Sequence, residues 1–283
     1  METWRIGEIS IIKVVDIVNV VPVAFLIAEA THENLEPIAW LKPHFLDEAD
    51  NMPLSIHTFV IKTPDATVVV DTCIGNDKPR ELLPDWNMRQ GQFLVDLAQA
   101  GVVREAVDTV LCTHLHVDHV GWNTMLVDGR WTPTFPRANY LFGRAEWAFW
   151  ENEEDPYGKE AKADSILPIF EAGQAVLVEG DHHVAPGIQL MSTPGHTPGH
   201  VSVLVESGGE RAVITGDLMH HPVQVARPHW QDIADVDHEQ AQRTRQAFLE
   251  RFGDERTLVL GSHFATPTGG RLVRDGVAWR FAV

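Results

Sequence analysis

Short apolar runs, each closing on a small residue or a turn, recur along the chain and read as strands. Positions 8–18 and 23–28, rich in Ile and Val, predict the first two strands. Positions 29–56 keep no clear period and hold Pro37, Trp40, Pro43, Phe45 and Pro53. This predicts a loop excursion, either folded over a pocket or lying on the surface. Strands are expected again at 57–63 and 67–71. Positions 92–100 carry helical spacing with Gly101 as a stop, and 144–154 (with Trp147, Phe149 and Trp150) and 161–172 read as helices. The longest helix is expected over 237–252, where Asp237 is the N-cap, Gln240 completes a capping box and Gly253 ends the run. Two short strands, 271–274 and 277–281, close the chain. No solenoid-period repeat, low-complexity tract or linker interrupts it, so 1–283 reads as a single domain.

Composition narrows the class of function. At 283 residues the chain can bury the core of one α/β domain, and 44% hydrophobic residues is ordinary for a soluble globular protein. There is no run of about 20 apolar residues, so no membrane span is implied. Residues 1–8 lack a basic start followed by an apolar core, so a cytoplasmic location is expected. Cys73 and Cys112 sit at strand ends without zinc-motif spacing and read as a reduced pair. A net charge of −18 argues against nucleic acid, whose phosphates demand a basic footprint.

The chemistry is concentrated at 114–119, His-Leu-His-Val-Asp-His, directly after the apolar run Val110-Leu111-Cys112. Imidazole and carboxylate donors packed this tightly suit zinc and its first-row neighbours. On its own such a cluster could be a chance grouping among 15 histidines. The same arrangement returns further along, however. His196 lies in Thr193-Pro194-Gly195-His196-Thr197-Pro198-Gly199-His200, Asp217 follows Ala212-Val213-Ile214-Thr215-Gly216, and His263 follows Leu258-Val259-Leu260-Gly261-Ser262. Four strand ends in succession deliver metal-capable side chains.

In these motifs the chain resembles the metallo-β-lactamase superfamily over roughly residues 57–265, with Val68-Val69-Val70-Asp71-Thr72 similar to the family's early strand ending in Asp. The resemblance implies an α/β fold, a four-layer αββα sandwich with the site along one edge of the two sheets. It also implies two divalent ions, zinc by default with manganese, iron or cobalt accepting the same donors. One ion would take His114, His116 and His196, the other Asp118, His119 and His263, with Asp217 bridging. Such a pair shares a hydroxide that attacks an electrophilic carbonyl or phosphorus centre.

Within the superfamily, His116 departs from the Glu of flavodiiron oxygen reductases. The 20 residues after His263 leave no room for the helical C-terminal domain of glyoxalase II. What remains resembles N-acyl-homoserine lactone lactonases and methyl-parathion-hydrolase-like enzymes, which implies hydrolysis of a lactone or ester, or alternatively of a phosphotriester. A glutathione-thioester hydrolase and a non-catalytic metal-binding protein are the weaker alternatives. Many of those lactonases place a Tyr three residues after the bridging Asp; here His220 stands there, suited to donate to an oxyanion or to shuttle a proton. Asp118 is a second candidate for proton relay. Asp71 reads as orienting a ligand histidine, while His200 and His221 read as structural. Trp122, Trp230, Phe264, Trp40 and Phe25 are candidate pocket walls, and 29–56 could equally cover the site or join two copies as a homodimer.

Overall fold

Alternation of side chains along the central strands decides the layering. The computed structural model describes residues 1–153 and 156–283. In its first half run β1 (Thr3–Ile6), β2 (Ile9–Pro22), β3 (Asn51–Lys62), β4 (Thr67–Val70), β5 (Thr109–Leu111), β6 (Thr124–Val127), β7 (Arg130–Pro133), β8 (Asn139–Gly143) and β9 (Ala175–Val178). The second half adds β10 (His183–Ala185), β11 (Ile188–Ser192), β12 (Val201–Ser207), β13 (Glu210–Ile214), β14 (Leu258–Leu260), β15 (Gly269–Asp275) and β16 (Ala278–Ala282). Two seven-stranded sheets result, ordered β1-β2-β3-β4-β5-β8-β9 and β10 to β16 in sequence, with β6–β7 a separate hairpin.

Period two sends neighbouring residues to opposite faces. Val68, Val70, Leu111, Val203, Val205, Ala212, Ile214 and Leu260 point between the sheets and pack together. Val69 and Val110 point outward, onto Phe93, Leu97 and Ile169 of covering helices. Leu204, Val213 and Val259 point outward on the other side, onto Phe248, Leu249 and Phe252. Three apolar layers thus separate four layers of structure, the αββα sandwich. Each fully buried aliphatic side chain contributes roughly 1.5–3 kcal/mol to it.

The helix His238–Phe252 buries Ala241, Arg245, Phe248, Leu249 and Phe252, an i, i+4, i+7, i+8, i+11 stripe. The Asp237 side chain caps it by accepting from Gln240 N at 2.9 Å. Gly253 ends it by turning to extended backbone, and a Cβ there would stand 2.0 Å from the Trp279 ring.

Two expectations change. Residues 23–28 are not a strand: Pro22 ends β2 and Val23–Leu26 is a helical turn. Val23 and Ile27 are buried at i, i+4 spacing while Phe25 is 65% exposed. The excursion stops earlier than 56, since β3 begins at Asn51. Pro53 is tolerated there because β4 pairs only with Phe59–Lys62, and beside Pro53 that side of β3 meets only an isolated bridge, Leu54 with Phe264. Within residues 29–50, Leu35, Ile38, Leu41 and Phe45 pack on the outer layer of the second sheet. The expected helices are present as Arg144–Trp150 and Leu167–Glu171, the latter preceded by a π turn, Lys162–Ile166. Position 154 lies outside the described residues. Cys73 and Cys112 are buried and free.

Parallel pairing sets the address of the site. Val70 aligns with Leu111, and Ile214 with Leu260, so both parallel pairs end level at the same end of the sandwich. The loops after β4, β5, β13 and β14 therefore leave side by side, the position where open α/β sheets present their chemistry.

Candidate metal centre

Three loops are locked in place before any ion is considered. Asp71, at φ 58° after β4, turns its carboxylate back to accept from Thr113 N at 2.7 Å and from His119 Nδ1 at 3.0 Å. Gly121, just past His119, donates its N–H to Cys73 O, and a Cβ there would stand 1.8 Å from Ile74 O. Only glycine lets the His-x-His-x-Asp-His loop lie against 72–75.

The Thr-Pro-Gly-His-Thr-Pro-Gly-His turn, between β11 and β12, is wedged between helices of both outer layers. A Cβ at Gly195 would stand 2.3 Å from Ala241 N, and one at Gly199 would stand 2.1 Å from Glu146 N. Its last residue, His200, belongs to none of the ion-capable groups among the described residues and accepts the Asp217 N–H at Nε2, 2.8 Å.

Second partners fix which ring nitrogen faces inward. His119 Nδ1 meets Asp71, His196 Nδ1 meets Asp235 Oδ1 at 3.2 Å, and His263 Nδ1 meets the Ser55 carbonyl at 3.1 Å. Each of these oxygens accepts, so Nδ1 carries the proton and the Nε2 lone pair is left toward the centre. Ser55 lies on β3, so this last bond stitches the two sheets together at the site.

The structure brings all seven sequence-predicted residues into one buried cluster. His116 Nδ1 lies 3.0 Å from His114 Nε2 and 2.9 Å from His196 Nε2. Asp217 Oδ2 stands 3.6 and 3.5 Å from the latter two nitrogens. Bonds of about 2.0–2.1 Å in a tetrahedron place ligand atoms about 3.3 Å apart, so this set fits an ion such as zinc. Asp118 Oδ2 lies 3.7 Å from both His119 Nε2 and His263 Nε2, which are 3.2 and 3.1 Å from Asp217 Oδ2. Asp217 belongs to the first set and reaches the second. Its Oδ1 and the His119 Nε2 are buried with no hydrogen-bond partner, an expensive arrangement that a cation would relieve.

Electrostatics separate the histidines of the two sets. Burial pushes the His114 and His196 imidazoles well below their ordinary range and holds His116 at about 4, keeping them in the neutral, ion-binding form. Burial would also neutralise His119, yet Asp217, Asp71 and Asp118 outweigh it and draw the ring toward its charged form. Burial opposes the Asp217 charge as well, but the surrounding histidines hold its carboxyl well below the usual carboxylate range.

His220 is the eighth member. Its Nε2 lies 3.1 Å from Asp217 Oδ2 and its Nδ1 3.1 Å from Asp232 Oδ2. Burial lowers its pKa, but the two carboxylates raise it more, to about 9. With Asp217 and His263 it also forms a third ion-capable group. His221 turns outward, its Nε2 at 2.9 Å from Phe45 O, and ties the 29–50 segment to the site loop.

A cavity of about 580 Å³ opens beside His116 and Asp118, walled by Leu83, Val117, Phe149, Trp150, Ile233 and Val236. The five aromatics proposed as its wall are not among its lining. Trp122 stacks on Phe93, Phe264 packs on Phe281, and Trp230 is core; Trp40 packs on Phe45 and Phe25 is exposed. Phe149 and Trp150 take that place because their helix runs along the mouth. Also unanticipated are the charged residues behind the histidines, namely Glu146, Asp232, Asp235 and Arg245.

The metallo-beta-lactamase superfamily model matches residues 51–263. An N-acyl homoserine lactonase from a Bacillus species is 30% identical over 173 residues, 57% of this chain and 62% of that protein. One from Bacillus cereus is 28% identical over 169 residues, 54% of this chain and 59% of that protein. The matches thus span about three-fifths of these relatives' length. Among solved structures, AbOPH, a hydrolase in the beta lactamase superfamily, superposes with a TM-score of 0.83 at 24% identity, covering 99% and 96% of the two chains. AidC, a dizinc quorum-quenching lactonase in complex with a product, gives 0.81 at 20% identity over 99% and 96%. At these identities the structural likeness speaks for the fold.

Proposed function

The chain belongs to the metallo-β-lactamase superfamily, and from that premise we propose that it is a dinuclear metal hydrolase that opens a lactone or cleaves a carboxylic ester. The observation that carries this reading is the convergence of His114, His116 and His196 on one side and Asp118, His119 and His263 on the other, with Asp217 between them. Those residues would hold two divalent ions, and the nitrogen-rich donor set favours zinc. When bound, such ions supply Lewis acidity that brings the pKa of water from about 15.7 toward neutrality and polarises an acyl oxygen.

The protein's own groups do the remaining work. Asp71, Asp235 and the Ser55 carbonyl hold three imidazoles in the tautomer that faces inward. His220 donates from Nε2 to the oxygen on which negative charge develops, with Asp232 behind it to stabilise the charged ring. Asp118, half-buried at the cavity, faces the substrate side and takes the proton relay to the leaving alkoxide. The apolar wall excludes water and receives the hydrocarbon part of the acid component.

Metal analysis near two equivalents, loss of activity on chelation and recovery with added zinc test the centre. A panel of acyl-homoserine lactones, simple γ- and δ-lactones, aryl esters and paraoxon-like triesters tests the substrate. Lactones bearing an apolar acyl chain are expected to give the highest kcat/KM. A metal-loaded protein inactive on every member, or one that prefers the triester, overturns the proposal. The wall makes a separate prediction. Ile233→Ser with Phe149→Ala should cost about tenfold in kcat/KM for long acyl chains and leave short ones unchanged, since each lost apolar contact is felt only by a chain long enough to reach it. Equal losses on both would show that the cavity does not hold the chain.

A further inference from the structure

The two loops that bring His114, His116 and His196 together come from different sheets, and a single buried carboxylate joins them. Glu146 sits in the first turn of the helix Arg144–Trp150 and is 1% exposed. Its Oε1 accepts from Leu115 N at 3.1 Å and from Trp150 Nε1 at 2.7 Å, while its Oε2 accepts from Gly199 N at 3.0 Å. Leu115 is the residue between His114 and His116, and Gly199 closes the turn that carries His196. Trp150, fastened by the same carboxylate, lies edge-on to His116 with ring centres 5.3 Å apart.

We infer that Glu146 is a positioning residue that clamps the two histidine loops at the spacing one metal ion requires. Glu146 is the acceptor for both the Leu115 and Gly199 N–H groups. Without it two buried donors lose their bond at once, one on each loop, and each loop moves to find a substitute. The 2.9 Å between His116 Nδ1 and His196 Nε2 spans these loops and is the separation that such movement changes. Two of the three residues of the other ion-holding group are braced elsewhere, His119 by Asp71 and His263 by the Ser55 carbonyl. The effect is therefore selective. The clamp also accounts for the second glycine of the Thr-Pro-Gly repeat, since Gly199 is where the helix backbone meets the turn.

The inference rests on the proposed metal centre, and zinc titration of the full chain separates the two. Wild type should bind two equivalents; if it binds none, the metal centre itself fails. Glu146→Gln keeps the shape but turns an NH2 group toward one of the donors. Gly199→Ala forces the helix and the turn apart from the opposite side. In either variant one equivalent should weaken about tenfold to a hundredfold in a competitive chelator titration, while the other stays within threefold of wild type. Trp150→Phe, which removes only one donor and neither loop bond, should retain both. If wild type binds two ions and a folded Glu146→Gln or Gly199→Ala holds both as tightly, Glu146 merely braces the helix and the inference falls. It falls equally if both ions are lost together. Either variant, once shown to be folded by circular dichroism, decides the question.

Discussion

Replacing Asp217 with asparagine is expected to leave the protein folded and to lower kcat/KM by about a thousandfold. The carboxylate is the common neighbour of the whole centre: Oδ2 lies within 3.1–3.6 Å of ring nitrogens of His114, His119, His196, His220 and His263. A neutral amide of the same shape removes the charge that offsets two dications and points an NH2 group at lone pairs meant for metal. Losing one preorganised electrostatic partner in such a site costs about 10²–10³ in rate, and in the proposed centre the residue common to both ion-holding sets would be lost as well. The fold should survive because the backbone is held independently of the carboxylate. Asp217 N–H donates to His200 Nε2, and Gly216, at φ 57°, lies so close to that ring that a Cβ would stand 2.5 Å from it. The check is kcat/KM together with metal stoichiometry and a melting curve. Activity within tenfold of wild type, with both ions bound, would remove Asp217 from the bridging role.

Why the centre is legible in the sequence follows from the same geometry. Histidines and aspartates that serve one point in space must leave from strand ends at one edge of the sandwich, so each follows an apolar run that is easy to read. The long helix was legible too, through its stripe and its Asp237 cap. Residues that act behind the histidines leave no such mark. Glu146 and Arg245 sit in amphipathic helices where a charged side chain ordinarily faces water. A closer reading of spacing identifies Arg245, since it falls on the 241–245–248–252 stripe while Arg243 does not. Asp128-Gly129 likewise carries the signal of the two-residue turn that closes the β6–β7 hairpin, with φ 50° and 75°. Aromatics gave no usable signal: Trp122 lies three residues past His119 and Phe149 thirty, yet packing makes the first core and places the second in the cavity wall. The ribbon formed by β2 and β3 is longer than the pattern suggests because Pro53 imitates a loop.

Arg245→Leu is expected to destabilise the metal-free protein by about 3–5 kcal/mol at neutral pH, the cost of breaking one side of a buried ion pair. The guanidinium is fully buried and donates to Asp235 Oδ2 at 3.0 Å and to the carbonyls of Pro228 and Trp230 at 3.0 and 3.2 Å. Leucine fills part of the volume but satisfies none of these acceptors, and it strands a carboxylate whose other oxygen orients His196. Burial alone would push the Asp235 carboxyl upward; His196 and Arg245 outweigh it and hold it at about 2. A carboxyl depressed in the folded state adds stability that is fully present above its unfolded value of about 3.9 and is lost as pH falls toward about 2. The difference between wild type and Arg245→Leu should therefore be largest at neutral pH and narrow through that acidic window. Adding Asp235→Leu should recover part of the loss, because two apolar groups packed together cost less than one unpaired charge. Recovery of stability without recovery of metal binding would separate the two duties of the pair, since His196 would still lack its orienting acceptor. Urea unfolding of the three proteins across pH reads all of this directly, and a loss below about 1 kcal/mol for Arg245→Leu at neutral pH would show that the surrounding loop re-forms its bonds without the guanidinium.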